Sequence, residues 1–325
     1  MSDRTMVESI RSTLRDVMAE DDRIILLGED IGVNGGVFRA TEGLIEEFGS
    51  ERVIDTPLNE SGVLGFSIGL ALNGLIPVPE IQFIDFIWPG FDQIMSELSK
   101  FRYRSGGLFE TPVTIRAPYG GGVGGAIYHS QSPEAYFTHT PGIKVVVPSG
   151  PHDAKGLLMS SIKDPDPVLF MEPKRLYRAF REEVPDDEYS IPLGNAKIAR
   201  KGSDVTVISY GSMLHVALDS AEEASEKHGI ECEVVDLRTL MPLDIETIEE
   251  SVTKTGRVVS VTEAPKTTGF GAELSALVAE KWIEYMEGPI VRVAGFDTPF
   301  PFVQEEDYLP TPARVLEGVQ RVYNF

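Results

Sequence analysis

Short apolar runs alternate with longer segments of helical periodicity along this chain. Ile24–Leu27, Val78–Ile81, Val113–Ala117, Lys144–Val147 and Val168–Met171 are apolar or nearly so, as expected of strands buried on both faces. Between them, Met6–Ala19, Ser61–Leu72, Pro89–Tyr103 and His152–Ile162 have the spacing of helices. This order predicts a mostly parallel sheet covered by helices on both sides. The stretch Arg181-Glu182-Glu183-Val184-Pro185-Asp186-Asp187-Glu188-Tyr189 is charged, holds a proline and has no period, which marks a boundary. Beyond it the alternation resumes with strands at Val205–Tyr210, Cys232–Asp236, Val258–Thr262 and Val291–Ala294. Helices at Met213–Lys227, Ile245–Val252 and Ala272–Met286 separate them. Two α/β domains are expected, over 1–180 and 192–325, joined by an acidic linker at 181–191. A length of 325 residues suits two cores better than one.

Composition narrows the class without naming a function. Hydrophobic residues make up 42% and charged residues 25%, the usual balance of a soluble globular protein. No window reaches the ~18–20 consecutive apolar residues of a membrane span. Met1-Ser2-Asp3-Arg4-Thr5 has neither a signal-peptide nor a transit-peptide pattern, so a cytoplasmic location is expected. The single cysteine, Cys232, rules out an internal disulfide and any CxxC zinc or redox site. A net charge of −22 argues against nucleic acid or an anionic membrane as partner. The same charge serves solubility, or attracts a basic protein to an acidic face; composition does not separate the two.

Several motifs suggest chemistry that their surroundings do not support. Gly120-Gly121-Gly122-Val123-Gly124-Gly125 fits G-x-G-x-x-G after a strand, but the next strand, Lys144-Val145-Val146-Val147-Pro148, ends without the acidic residue of a dinucleotide site. The glycines instead let the backbone approach a ligand or another subunit closely. Gly65-Phe66-Ser67-Ile68-Gly69 matches a nucleophile elbow, yet it lies inside a helical run, where Ser67 is a packing residue. Asn59-Glu60-Ser61 spells a glycosylation sequon without a secretory signal. None of the five histidines has metal-binding spacing. His129 alone stands out, because it follows the glycine loop within Tyr128-His129-Ser130-Gln131-Ser132-Pro133-Glu134.

Two strand ends carry the strongest signals. Arg52-Val53-Ile54 runs into Asp55-Thr56-Pro57-Leu58-Asn59-Glu60-Ser61-Gly62, where Glu60 sits at a strand-to-helix junction with no basic residue nearby in sequence. A carboxylate held there is costly to bury unless a distant group or a ligand pairs with it. Glu80-Ile81-Gln82-Phe83-Ile84-Asp85-Phe86 ends another strand, and such ends are where open α/β sheets bind ligands. Gln82 offers both donor and acceptor, and Phe83 and Phe86 offer aromatic faces or core.

Together these blocks resemble the beta subunit of thiamine-diphosphate-dependent 2-oxo acid dehydrogenases, of the transketolase-like superfamily. Gly28-Glu29-Asp30, Pro141-Gly142-Ile143-Lys144-Val145-Val146-Val147-Pro148, Val234-Val235-Asp236-Leu237-Arg238-Thr239 and Asp297-Thr298-Pro299-Phe300-Pro301 extend the resemblance along essentially the whole chain. The resemblance implies a pyrimidine-binding domain followed by a transketolase C-terminal-like domain. It implies that Glu60 bonds N1′ of the cofactor's aminopyrimidine, a proton-sharing contact that sets up attack on a 2-oxo acid, with the cofactor as electron sink. By the same resemblance Leu58 packs near the aminopyrimidine and Gln82 makes a polar contact to it. Phe86 takes an aromatic stacking position that is tyrosine in many relatives, and His129 assists transfer of the acyl group to a lipoyl arm. The chain has no Gly-Asp-Gly followed by a downstream Asn, the superfamily's Mg²⁺ and diphosphate site, so a separate alpha subunit is expected to hold the Mg²⁺.

Further implications are two alpha and two beta chains, and docking of an acyltransferase core through its basic binding domain. Branched-chain relatives bind K⁺ around the loop that here contains Ser161, Asp164 and Asp166, although two identities differ from that pattern. Tyr128-His129-Ser130-Gln131 looks closer to the branched-chain type, and the C-terminal half also resembles pyruvate-type subunits. An acetoin dehydrogenase subunit, a non-catalytic scaffold and a single-chain NAD-binding oxidoreductase are the competing expectations.

Overall fold

The computed structural model describes residues 1–325 and divides into two compact units. The first comprises Met1–Tyr119 and Tyr136–Leu193; the second comprises Gly120–Ala135 and Gly194–Phe325. The glycine loop and His129 therefore pack with the C-terminal half of the chain, although they precede the charged segment by some distance in sequence.

Eight strands lie in the first unit. They are β1 (Ser2–Arg4), β2 (Ile24–Gly28), β3 (Val53–Asp55), β4 (Ile76–Glu80), β5 (Thr114–Tyr119), β6 (Lys144–Val146), β7 (Val168–Pro173) and β8 (Glu182–Val184). Six of them hydrogen-bond in the order β6-β7-β5-β4-β2-β3, all parallel. The strands are almost wholly buried, which explains their continuous apolar runs. From β2 the chain adds β3 on one side and then crosses to place β4 on the other, so the strand order reverses at β2. The carboxyl ends of β2, β3 and β4 thus flank a topological switch point, the usual ligand position in an open α/β sheet.

Helices α1 (Met6–Glu20), α2 (Leu44–Phe48), α3 (Glu60–Leu72) and α4 (Phe101–Arg104) precede α5 (Glu134–Thr138), which spans the return from the second unit, and α6 (Pro151–Ile162). A capping box of Thr5 and Glu8 starts α1. Met6, Ile10 and Leu14 of α1, Leu157 and Leu158 of α6, and Leu26 and Phe170 of the sheet share one core, each at most 1% exposed. Each such burial contributes on the order of 1.5–3 kcal/mol.

Two expectations change. The segment Pro89–Tyr103 is not one helix but a 3₁₀ turn at Trp88–Gly90, a π segment at Gln93–Glu97, a 3₁₀ turn at Leu98–Lys100 and then α4. At its start the segment packs closely on α3: a Cβ on Gly90 would stand 2.5 Å from Leu64 Cδ1. The acidic stretch at 181–191 does not run as a free linker either, since it forms β8, antiparallel to β1. Asp186 accepts hydrogen bonds from Ser2 Oγ at 2.5 Å and Arg4 Nη2 at 2.8 Å, and the buried Lys155 ammonium donates to the carbonyls of Pro185 and Asp186. Its cationic partners lie far away in sequence, so no local pattern announces the pairing.

In the second unit, β9 (Lys197–Arg200), β10 (Val205–Ser209), β11 (Cys232–Asp236), β12 (Thr239–Met241), β13 (Val258–Pro265) and β14 (Val291–Gly295) follow. Five of these pair in the order β14-β13-β10-β11-β9, parallel except for the antiparallel edge strand β9. Helices α7 (Ser212–His228), α8 (Ile245–Thr255), α9 (Phe270–Trp282), α10 (Glu305–Tyr308) and α11 (Pro312–Tyr323) complete the unit. Val205, Val207, Val234, Val259 and Val319 are fully buried and join α7 and α11 to the sheet.

Candidate active site

Three loops leave the switch point of the first unit. Glu29 follows β2, Asp55 ends β3, and Gln82 follows β4. Backbone bonds fix their relation: Thr56 N–H donates to the Gly28 carbonyl at 2.9 Å, and Ile81 N–H to the Arg116 carbonyl at 2.9 Å. The Asp55 carboxylate accepts the amides of Gly32 and Val33 at 2.6 and 3.1 Å, so this carboxylate serves as a loop anchor. A Cβ on Gly32 would lie 2.7 Å from Asp55 Oδ2, which is why the anchored loop needs glycine there.

Asn59 caps α3 by accepting the Gly62 amide at 3.0 Å, which makes Glu60 the first residue of the helix. The half-buried Glu60 carboxylate makes no hydrogen bond or ion pair within the chain. Its neighbourhood is itself acidic. The Glu29 carboxyl is held above the usual carboxylate range by burial first, then by the charges of Asp30 and Glu60. Gln82 Nε2 donates to the Glu29 carbonyl at 3.3 Å, which joins the β4 end to this carboxylate pair. The backbone of Gly90 lies against the first turn of α3, where a Cβ would be 3.1 Å from the Glu60 carbonyl oxygen. Phe86, half-buried, meets Phe83 edge-on at 5.7 Å, and Phe83 meets Phe38 at 5.3 Å. Leu58 is 71% exposed.

The structure thus brings Leu58, Glu60, Gln82 and Phe86 to one switch point. Its residues fit an aminopyrimidine. An unpaired carboxylate beside a second one gains by sharing a proton with a ring nitrogen, and Leu58 and Phe86 leave apolar surface for a ring to cover.

Behind these strand ends lies a group that sequence reasoning missed. Arg116 of β5, 1% exposed, donates from Nη1 to Glu80 Oε2 at 2.7 Å, from Nε to Glu172 Oε1 at 2.7 Å and from Nη2 to Glu172 Oε2 at 3.0 Å. Tyr177 Oη donates to the same Glu172 carboxylate. Burial works against the guanidinium charge, but the two carboxylates outweigh it and hold Arg116 above its ordinary range. The signal was present in sequence, since Glu80, Arg116 and Glu172 are charged residues inside apolar strands.

His129 is half-buried in the second unit, close after the glycine loop, with its amide donating to the Ala126 carbonyl at 3.4 Å. The loop does make a close approach, but to the unit's own residues: a Cβ on Gly121 would be 2.5 Å from Phe300 Cζ. Nearby, Tyr210 Oη donates to Glu134 Oε1 at 2.6 Å, while Glu134 Oε2 is buried without a partner. Burial, above all, pushes the Glu134 carboxyl up to about 7. A folded-state value above the unfolded one means that this group stabilises the fold fully below about pH 4.5. That contribution is lost as pH rises through about 7. Glu134→Gln is therefore expected to flatten the fall in melting temperature between about pH 5 and 8, with up to about 3 kcal/mol at stake. An unchanged pH profile would show that Glu134 ionises normally.

The residues suggested for K⁺ do not fit that ion. Lys144 Nζ donates to both oxygens of Asp164, at 2.6 and 2.5 Å, and Arg102 Nη1 donates to Asp166 at 3.1 Å. Ser161 Oγ is turned back on the Leu157 carbonyl of α6 at 2.7 Å. Protein cations already occupy the carboxylates. Ser67 likewise bonds the Val63 carbonyl at 2.8 Å within α3, as a packing residue does. No helix is long and apolar enough to cross a membrane.

The family "Transketolase, pyrimidine binding domain" matches residues 2–179, and "Transketolase, C-terminal domain" matches 194–315. The chain is 51% identical over 317 residues to the mitochondrial 2-oxoisovalerate dehydrogenase subunit beta of Dictyostelium discoideum, covering 97% of this chain and 85% of that one. It is also 51% identical over 326 residues to the pyruvate dehydrogenase E1 component subunit beta of Bacillus subtilis, with both chains covered in full. Among solved structures, a split-gene transketolase described as an inactive beta4 tetramer shares the fold with a TM-score of 0.81 at 23% identity, over 99% of each chain. The chain belongs to the thiamine-dependent, transketolase-like family of 2-oxo acid dehydrogenase beta subunits.

Proposed function

We propose that this chain, with an alpha subunit, decarboxylates a 2-oxo acid on thiamine diphosphate and passes the acyl group to a lipoyl-lysine of an acyltransferase. The observation that carries the reading is Glu60, a carboxylate at the switch point with no partner in the chain, whose neighbour Glu29 accepts a hydrogen bond from Gln82 on its carbonyl. When bound, the cofactor supplies a nucleophilic carbon and an electron sink for decarboxylation. Glu60 would hold a proton at a ring nitrogen of the cofactor, beside a Glu29 carboxyl that burial first, then the charges of Asp30 and Glu60, raise from its ordinary value. Gln82 orients the ring edge, while Phe86 and Leu58 cover its face and exclude water. His129 donates a proton to the lipoyl sulfur as the dithiolane opens. The alpha subunit holds Mg²⁺ and the diphosphate, in an assembly of two alpha and two beta chains. The net charge of −22 supports docking of a basic binding domain from the acyltransferase.

Branched-chain 2-oxo acids are the favoured substrates, on the strength of Tyr128-His129-Ser130-Gln131. Steady-state assays of the reconstituted complex with pyruvate, 2-oxoisovalerate and acetoin test this. A higher kcat/KM for 2-oxoisovalerate is expected; a preference for pyruvate or acetoin would reassign the substrate and leave the role of Glu60 intact.

A further inference from the structure

The proposed chemistry uses His129 but does not explain the glycine loop that leads to it. Two carboxylates from far along the chain fix that loop. Glu263, near the end of β13, accepts the Gly121 amide and the Ser212 hydroxyl, the latter at 2.8 Å. Glu305, the first residue of α10, accepts the Gly122 amide on one oxygen and the Gly124 amide on the other, the latter at 2.9 Å. Gly120, Gly122 and Gly124 have φ of 84°, 86° and 69°, so the backbone folds its amides inward, which side chains would resist. A Cβ on Gly120 would also sit 2.7 Å from Glu263 Oε1. Ala126 continues the chain at φ 53°, and His129 follows three residues later. A glycine-rich loop loses much conformational entropy on ordering, and charge-assisted bonds to its amides are what offset that loss.

We propose that Glu305 is a positioning residue for His129 in acyl transfer, a role that rests on the transfer function proposed above for that histidine. Its two oxygens hold the loop that sets where the imidazole stands. Glu305 is half-buried, so its replacement spares the core. In Glu305→Gln the amide NH₂ faces a backbone N–H where an acceptor is needed, and one of the two bonds is lost.

The test uses the reconstituted complex with alpha subunit and cofactor. Acyl transfer is read with a lipoyl domain, and decarboxylation with an artificial electron acceptor that needs no lipoyl group. Glu305→Gln is expected to lower kcat for transfer at least about tenfold, with decarboxylation within about twofold and KM for the lipoyl domain little changed. Hydrogen exchange across residues 121–129 should speed up in the same variant. Equal loss of both activities would mean a merely structural role, and transfer within about twofold of wild type would show that the clasp does not matter; either overturns the proposal. His129→Ala serves as the control. If it transfers normally, the role of His129 itself is wrong; if it fails while Glu305→Gln transfers normally, only the clasp is wrong.

Discussion

Glu60→Gln is expected to lower decarboxylation about 10²- to 10⁴-fold in the complex reconstituted with its alpha subunit, while the protein stays folded. The substitution keeps the shape of the side chain and removes its ability to hold and return a proton. Folding should tolerate it, because the Glu60 carboxylate has no partner within the chain and Asn59 still caps α3. Loss of that negative charge should also ease the Glu29 carboxyl back toward its ordinary range, since Glu60 is one cause of its rise. The check is a decarboxylation assay with an artificial electron acceptor, beside a thermal melt of the same sample. A wild-type rate would sink the assignment of Glu60, and a collapsed melt would point to a structural role.

Arg116→Met should cost about 3–5 kcal/mol of stability. Its guanidinium is 1% exposed and bonds both Glu80 and Glu172, so removal strands two carboxylates in the core. Burial already raises the Glu172 carboxyl against the pull of Arg116, and removing the guanidinium takes that pull away. The variant should therefore be weakest at high pH and recover as pH falls toward the ordinary carboxylate range. Adding Glu80→Gln and Glu172→Gln to Arg116→Met should restore much of the loss, because no buried charge then remains. Chemical denaturation of the single and triple variants at several pH values measures both effects. A loss below about 1 kcal/mol for the single variant would show that the carboxylates relax into water.

The strands of both units and most long helices were legible because burial on two faces leaves a continuous apolar run, and amphipathic helices leave a 3.6-residue period. The break-up of the 88–104 segment was not legible, because its helical spacing does not separate α, π and 3₁₀ turns at this length. The strand hidden in the acidic stretch escaped for a different reason. Its Asp186 carboxylate is met by Arg4, and the carbonyls of Pro185 and Asp186 by Lys155, neither of which is near in sequence.

For the site, Glu60, Gln82 and Phe86 could be singled out because polar or aromatic residues follow directly on strands. Arg116 was passed over because one charged residue in an apolar run carries no sign of its partners. At Asp164 the resemblance to branched-chain relatives suggested K⁺, and in the fold Lys144 pairs with this carboxylate.

The alternation of elements, the carboxylate at the β3–α3 junction and the resemblance that named its chemistry all follow from residues close together in the chain. The reversal of strand order at β2, which sets Glu29 near the Glu60 charge and within a hydrogen bond of Gln82, arises only when the strands pair. Tertiary structure also decides that the glycine loop packs with the C-terminal unit under Glu263 and Glu305. Both outcomes are long-range pairings, fixed by which strands and carboxylates meet after folding, and local pattern does not encode them.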